Sequence, residues 1–314
     1  MQLSRLLAGF CLAAGLHGHA VGADDGPAFD KVSFYFAAHQ DDWQLFMNPS
    51  AFHDVADPKI KAVFVHMTAG DAGSGIGTRG RKHPFYLARE NGAEVAIRFM
   101  ADADREPVNK NASYLRFNGH LIYRVSYRYT VSYFLRVPDG NPGGTGYFDT
   151  NFQSLRRLAA GEIDNMWAVD GSTAYRGWGD LVATVRAIID FERDEAPDVQ
   201  LNVAETDALI NPGDHSDHLM TATAALESVA GLSCVRRAYY VDYASARLPA
   251  NLDMQQRDLE SAVFAVTAAG VRALDHVANW HWYDRSYVGR NYFRVEEGRG
   301  RCGEAASILS AARR

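Results

Sequence analysis

An apolar run, Val32-Ser33-Phe34-Tyr35-Phe36-Ala37-Ala38, passes without a break into His39-Gln40-Asp41-Asp42. A segment this apolar and β-branched or aromatic reads as a strand buried on both faces, which favours a sheet covered by helices on both sides. An imidazole and two carboxylates then stand at the carboxyl end of that strand, where an open α/β sheet gathers its ligands. A second cluster, His215-Ser216-Asp217-His218, follows another apolar stretch, Val199 to Ala204.

The remaining chain alternates in the same way. Lys31 to Ala38, Ala62 to Met67, Val199 to Ala204 and Arg237 to Val241 are predicted strands. Pro84 to Met100, Trp178 to Glu192, His218 to Val229 and Gln255 to His276 are predicted helices. On the first helix Leu87, Ala88, Val95, Ala96 and Phe99 are expected to share a buried face, with Ile97 beside it, and Gly92 weakens the helix. This order predicts an α/β fold with a mainly parallel sheet flanked by helices. Asn118 to Val137 is β-rich around an Asn118-Gly119 turn and reads as an insertion. Gly70 to Gly80 and Pro138 to Gly146 read as loops.

At 47% hydrophobic residues, a chain of 314 residues has ample core material for one large domain. A formal net charge of −6 excludes the basic surface expected of a nucleic-acid binder. Arg5, the apolar run Leu6 to Leu16 and the small residues Val21-Gly22-Ala23 have the pattern of a signal peptide over 1–23, leaving 24–314 as the domain and implying a secreted or periplasmic protein. No later stretch is apolar enough to span a membrane. Past the leader, Cys234 and Cys302 form either one disulfide or two separate buried thiols. Asn111-Ala112-Ser113 fits an N-glycosylation acceptor in a eukaryotic host.

Two imidazoles and a carboxylate with an open position make a fair site for a divalent ion. His39 and Asp42 are one turn apart and can both face inward. His215 and His218 are three apart, so one can ligate while the other stays free for chemistry. Asp217 between them can orient an imidazole and raise its basicity. The alternative is a plain helix entrance, with Asp214 or Ser216 as cap and the histidines exposed. His66 and His276 read as packed residues, and His83 and His120 as loop or turn residues. The aromatic stretches Ala278 to Tyr283 and Tyr287 to Phe293 read either as a sugar-stacking wall or as closure of the core.

The strand-His-x-Asp-Asp motif and the later His-x-Asp-His motif resemble the PIG-L/LmbE-like zinc-dependent N-deacetylases. The similarity extends to Thr68-Ala69-Gly70-Asp71 and to Arg89-Glu90. It implies a Rossmann-like fold, a Zn2+ ion (or another divalent ion such as Fe2+) on His39, Asp42 and His218, Asp41 as base, and His215 as acid or oxyanion stabiliser. It implies removal of an acetyl group from an N-acetylglucosamine-type sugar or glycoconjugate, a small-molecule or glycan partner. Gln40 stands where that family usually has Pro, and Trp43 where it has Glu; Trp43 and Arg89 are the candidate substrate contacts. Two other expectations are an iron(II) oxygenase built on a His-x-Asp…His triad, and a non-catalytic carbohydrate-binding protein of the same fold.

Overall fold

The structure is a computed structural model that describes residues 29–193 and 196–302. The expected leader at 1–23 lies outside the described residues. In chain order the elements are β1 (Lys31–Ala37), α1 (Asp42–Phe46), α2 (Ser50–Ala56), β2 (Ile60–Thr68), α3 (Phe85–Ala101), β3 (Asn111–Phe117), β4 (His120–Tyr127) and β5 (Thr130–Val137). They continue with α4 (Leu155–Ala159), β6 (Asn165–Trp167), β7 (Ala174–Arg176), α5 (Trp178–Arg193), β8 (Asp198–Ala204), α6 (Ser216–Ser228), β9 (Arg236–Tyr240), α7 (Met254–Ala273), α8 (Trp280–Ser286) and β10 (Phe293–Glu296).

Eight strands form one mixed sheet in the order β10-β9-β8-β1-β2-β5-β4-β3, and β6 and β7 form a small antiparallel pair. The run β9-β8-β1-β2-β5 is parallel throughout. β1 is central because alternate residues feed two separate cores. Val32, Phe34 and Phe36 enter one core with Leu181, Val185 and Ile188 of α5 and Ala222 of α6. Tyr35 and Ala37 enter the other with Phe46 of α1, Val55 of α2, Ile97 of α3 and Phe264 of α7. From β1 the chain builds outward through β2 and β5 on one side, then returns to place β8 and β9 on the other. That reversal opens a crevice at the carboxyl ends of β1 and β8, the usual ligand position in such sheets.

Two expectations are corrected. The β-rich stretch around Asn118 to Val137 is not an insertion: β5 pairs in parallel with β2 and carries β4 and β3 as antiparallel edge strands. Its eight residues are all buried, as a strand paired on both sides and covered on both faces requires. On α3, Phe99 does not join the buried face. It is 40% exposed while Ile97 and Met100 are buried, because α3 packs against the sheet and against α7 on directions that Phe99 does not share. Cys234 and Cys302 are joined in a disulfide. Among the described residues no helix is long and apolar enough to cross a membrane.

Gly92 costs α3 helical propensity but lets it approach α7 closely. A Cβ at Gly92 would lie 2.9 Å from Thr267 O, and one at Gly270 would lie 2.8 Å from Gly92 Cα. Two glycines therefore face each other across a backbone-to-backbone contact. Gly270→Ala is expected to lower stability by about 1–3 kcal/mol through overpacking, measured by denaturant unfolding.

Glu260 of α7 is fully buried; Oε2 accepts the Gly289 N–H at 2.6 Å, while Oε1 has no partner among the described residues. Burial pushes its pKa up to about 8, against the pull of that N–H. A carboxyl raised in the folded state stabilises fully below its unfolded value near 4.5, and that contribution is lost as pH rises through about 8. Stability should fall by about 1.4 kcal/mol per pH unit over that window from this group alone. Glu260→Gln should remove this slope and raise the melting temperature at pH 8 more than at pH 4.5, read by thermal unfolding at both values.

Candidate metal centre

The site assembles at the crevice. His39 leaves the end of β1, Asp41 precedes α1 and Asp42 opens it, Asp139 follows β5, His215 and His218 sit at the start of α6 after β8, and Asp242 follows β9. Every one of these follows the carboxyl end of a parallel strand. His39, Asp42, His215, Asp217 and His218 are all buried, so the loop and exposed-histidine alternatives do not describe them.

Three donor atoms converge. His39 Nδ1 lies 3.2 Å from His218 Nε2 and 3.4 Å from Asp42 Oδ1, and His218 Nε2 lies 3.3 Å from Asp42 Oδ1. Four-coordinate zinc, with bonds of about 2.0–2.2 Å to nitrogen and oxygen, needs donors roughly 3.3–3.5 Å apart. The triangle has that size. The surrounding groups fix which atoms face inward. His218 Nδ1 lies 2.9 Å from Asp214 Oδ1 and 3.2 Å from Asp242 Oδ2, so Nδ1 carries the proton and Nε2 presents a lone pair. Asp42 Oδ2 accepts the His39 backbone N–H at 2.7 Å, which turns Oδ1 toward the triangle. Two lone pairs and an anionic oxygen at such separations repel unless a proton or a cation lies among them. These buried His/Asp groups can therefore hold a metal ion, and the donor set fits one.

The electrostatics favour a cation too. Burial works against charging His39, yet Asp42 and Asp217 push its pKa up to about 10. His218 is raised well above the ordinary value despite burial, through Asp42 and Asp214. Asp42 is held well below the carboxylate range because His218 and His39 outweigh its burial. Asp242, buried beside Asp214, is raised to about 7.

His215 plays a different part. Its Nδ1 accepts the Asp217 backbone N–H at 3.1 Å, so His215 itself caps α6, in place of Asp214 or Ser216. With Nδ1 accepting, the neutral ring carries its proton on Nε2, which faces Asp139 Oδ1 at 4.0 Å. Burial, with His39 and His218 as positive neighbours, lowers its pKa to about 2. The neutral ring thus offers an Nε2–H donor.

Asp217 does not reach the cavity. It is fully buried, takes the Gly140 N–H on Oδ2 at 2.8 Å, and lies 3.7 Å from His39 Nε2 by the same oxygen. It orients His39 from behind. A Cβ at Gly140 would come within 2.6 Å of Asp217 Oδ1, which explains the glycine there. Trp43 is also corrected: it is fully buried and donates through Nε1 to His66 Nε2 at 3.3 Å, so it supports the core and touches no cavity. His66, stacked on Phe134, is a packed residue as expected.

A cavity of about 240 Å³ opens on His39, Asp41, Asp42, His215 and Asp139. Arg89 lines it and pairs with Asp41 Oδ1, while also donating to Gly70 O at 3.2 Å. Gln40 also lines the cavity and donates to Thr68 O at 2.8 Å, while its buried Oε1 lies against Gly70 with no partner among the described residues. Tyr283 lines the cavity and packs against Phe264, so the C-terminal aromatic segment serves both wall and core. Asp139, Asp214 and Asp242 were not singled out as site residues from the sequence. Their common signal was position: each lies within a loop after a parallel strand.

No known protein-family model matches the chain, and a search of curated proteins finds no significant match. The site is thus read from its own geometry. Purified protein should bind one divalent metal ion per chain by elemental analysis. His218→Ala should lose it while Asp41→Asn retains it, with near-ultraviolet circular dichroism confirming that both variants fold.

Proposed function

We propose that the chain is an exported, zinc-dependent amidohydrolase on a Rossmann-like fold. Its substrate is an N-acylated amino sugar or glycoconjugate of the N-acetylglucosamine type. The observation that carries this reading is the His39–Asp42–His218 triangle beside a cavity into which Asp41 and His215 also open. The motif resemblance points to the same reaction, and the Cys234–Cys302 disulfide suits an exported chain.

His39, Asp42 and His218 would hold the ion. A divalent cation there supplies Lewis acidity and brings the pKa of a water toward 7. Asp41 stands next in sequence to the ligand Asp42 and on the cavity, and Arg89 orients its carboxylate, which would accept a proton from the attacking water. Nε2–H of neutral His215 donates toward the oxygen on which charge develops. The C–N bond then breaks as a C–O bond to the acyl carbon is completed. The proton taken by Asp41 passes to the leaving nitrogen, giving a carboxylic acid and a free amine. Asp217 and Asp139 flank His39 Nε2, each at 3.7 Å, and hold the imidazole in place without touching substrate through that contact.

The same donors suit iron(II), but a helix-covered parallel sheet gives no added support to the oxygenase alternative. Retention of Asp41 on an open cavity weighs against a purely binding role.

Acetate should be released from N-acetylglucosamine-containing compounds, with loss of release on chelation and recovery with zinc. Asp41→Asn should lower turnover by about 10²–10⁴-fold while retaining metal. Full activity in the chelated protein, or in Asp41→Asn, would remove the basis of this mechanism.

A further inference from the structure

The cavity at the metal centre has two unlike sides. Toward the loops after β2 and β5 it is polar, with the Asp139 carboxylate and Tyr147 facing it. Toward α3, α7 and α8 it is lined by Phe85, Phe264, Val271, Val277 and Ala278, with the polar groups of Arg89, Thr267, Asn279 and Tyr283 among them. Phe264 and Val271 are buried at the floor of this side, and Val277, largely exposed, stands at its mouth. The two sides meet at the candidate base. Arg89, paired with Asp41, lies with its guanidinium 5.7 Å from the centre of the Phe85 ring, one helical turn earlier on α3. The apolar wall therefore begins beside the scissile position.

Arg89 is already paired with Asp41 and Thr267 already donates to Val263 O, so a hydroxyl-rich sugar ring against that side would meet Asn279 and Tyr283 as its open partners, at a cost of roughly 1–3 kcal/mol for each group left unpaired. An alkyl chain placed there loses nothing and leaves water. Resting on the amidohydrolase reading above, we infer that the apolar compartment receives the acyl side of the amide, and that the preferred substrates are N-acyl amino sugars whose acyl group is longer than acetyl. The amine portion then lies against Asp139 and Tyr147.

The test uses the full chain with zinc and a series of N-acylglucosamines, from acetyl through butyryl and hexanoyl to octanoyl, followed by amine release. The ratio kcat/KM is expected to rise by about fourfold per methylene until the compartment fills. Val277 is 62% exposed, so a change there is tolerated by the fold. Val277→Asp should lower the octanoyl-to-acetyl ratio of kcat/KM at least tenfold. In parallel, calorimetry with zinc-loaded Asp41→Asn should show octanoylglucosamine binding at least tenfold more tightly than N-acetylglucosamine, with a more negative heat-capacity change.

A flat or falling dependence on acyl length overturns the inference while leaving the hydrolase reading intact. So does a preference that follows an apolar aglycone at constant acetyl. Absence of amine release from the whole series overturns the hydrolase reading. The calorimetric arm still decides the compartment in that case: equal affinities for the two ligands overturn it.

Discussion

Crowding of His39 Nδ1, His218 Nε2 and Asp42 Oδ1 within 3.4 Å of one another is the contact on which the candidate metal centre depends. It brings together residues nearly 180 positions apart in sequence, and it exists because β8 pairs with β1 in parallel. Both strands then end on the same side of the sheet. The segment leaving β1 meets the helix that follows β8. Without that pairing the imidazoles would have no reason to approach, and their lone pairs would drive them apart.

A ring of carboxylates sustains the contact. Asp214 and Asp242 stand behind His218, and Asp139 and Asp217 behind His39. Each histidine thus has one nitrogen toward the triangle and the other toward acid. So many buried acids are unfavourable in isolation, because desolvation penalises each charge. They are tolerated together with positive or cation-bound imidazoles. The arrangement is consistent with the proposed hydrolysis, in which the ligand side is fixed while Asp41 and His215 remain open to the cavity.

Much of this was legible from residue order. The strand at Lys31–Ala37 and the helices at Phe85–Ala101 and Trp178–Arg193 follow from apolar periodicity nearly to their ends. His39 and Asp42 stand out because they follow an apolar run, whereas between His215 and His218 only the motif resemblance chose the candidate ligand. Pairing was not legible: nothing local tells that β5 adds to β2, so a segment joining the main sheet looked like an insertion. Nor was burial direction at single positions. Trp43 follows two site carboxylates but points into the core, because α1 turns immediately after Asp42. The downward pKa shift of His215 comes from burial and from two nearby imidazoles, and these are tertiary facts. Asp139 and Asp242 lie in segments whose closeness to His39 and His218 only the sheet order reveals.

The facing glycines of α3 and α7 have a wider meaning. Arg89 and Phe85 are carried on α3, and Phe264 and Val271 on α7, so the helical side of the cavity is borne by two helices that touch through main chain at Gly92 and Gly270. Main-chain atoms have no rotamers to change. The spacing of those two helices is thus fixed like a riveted joint, by two residues that themselves contribute no side chain to the cavity.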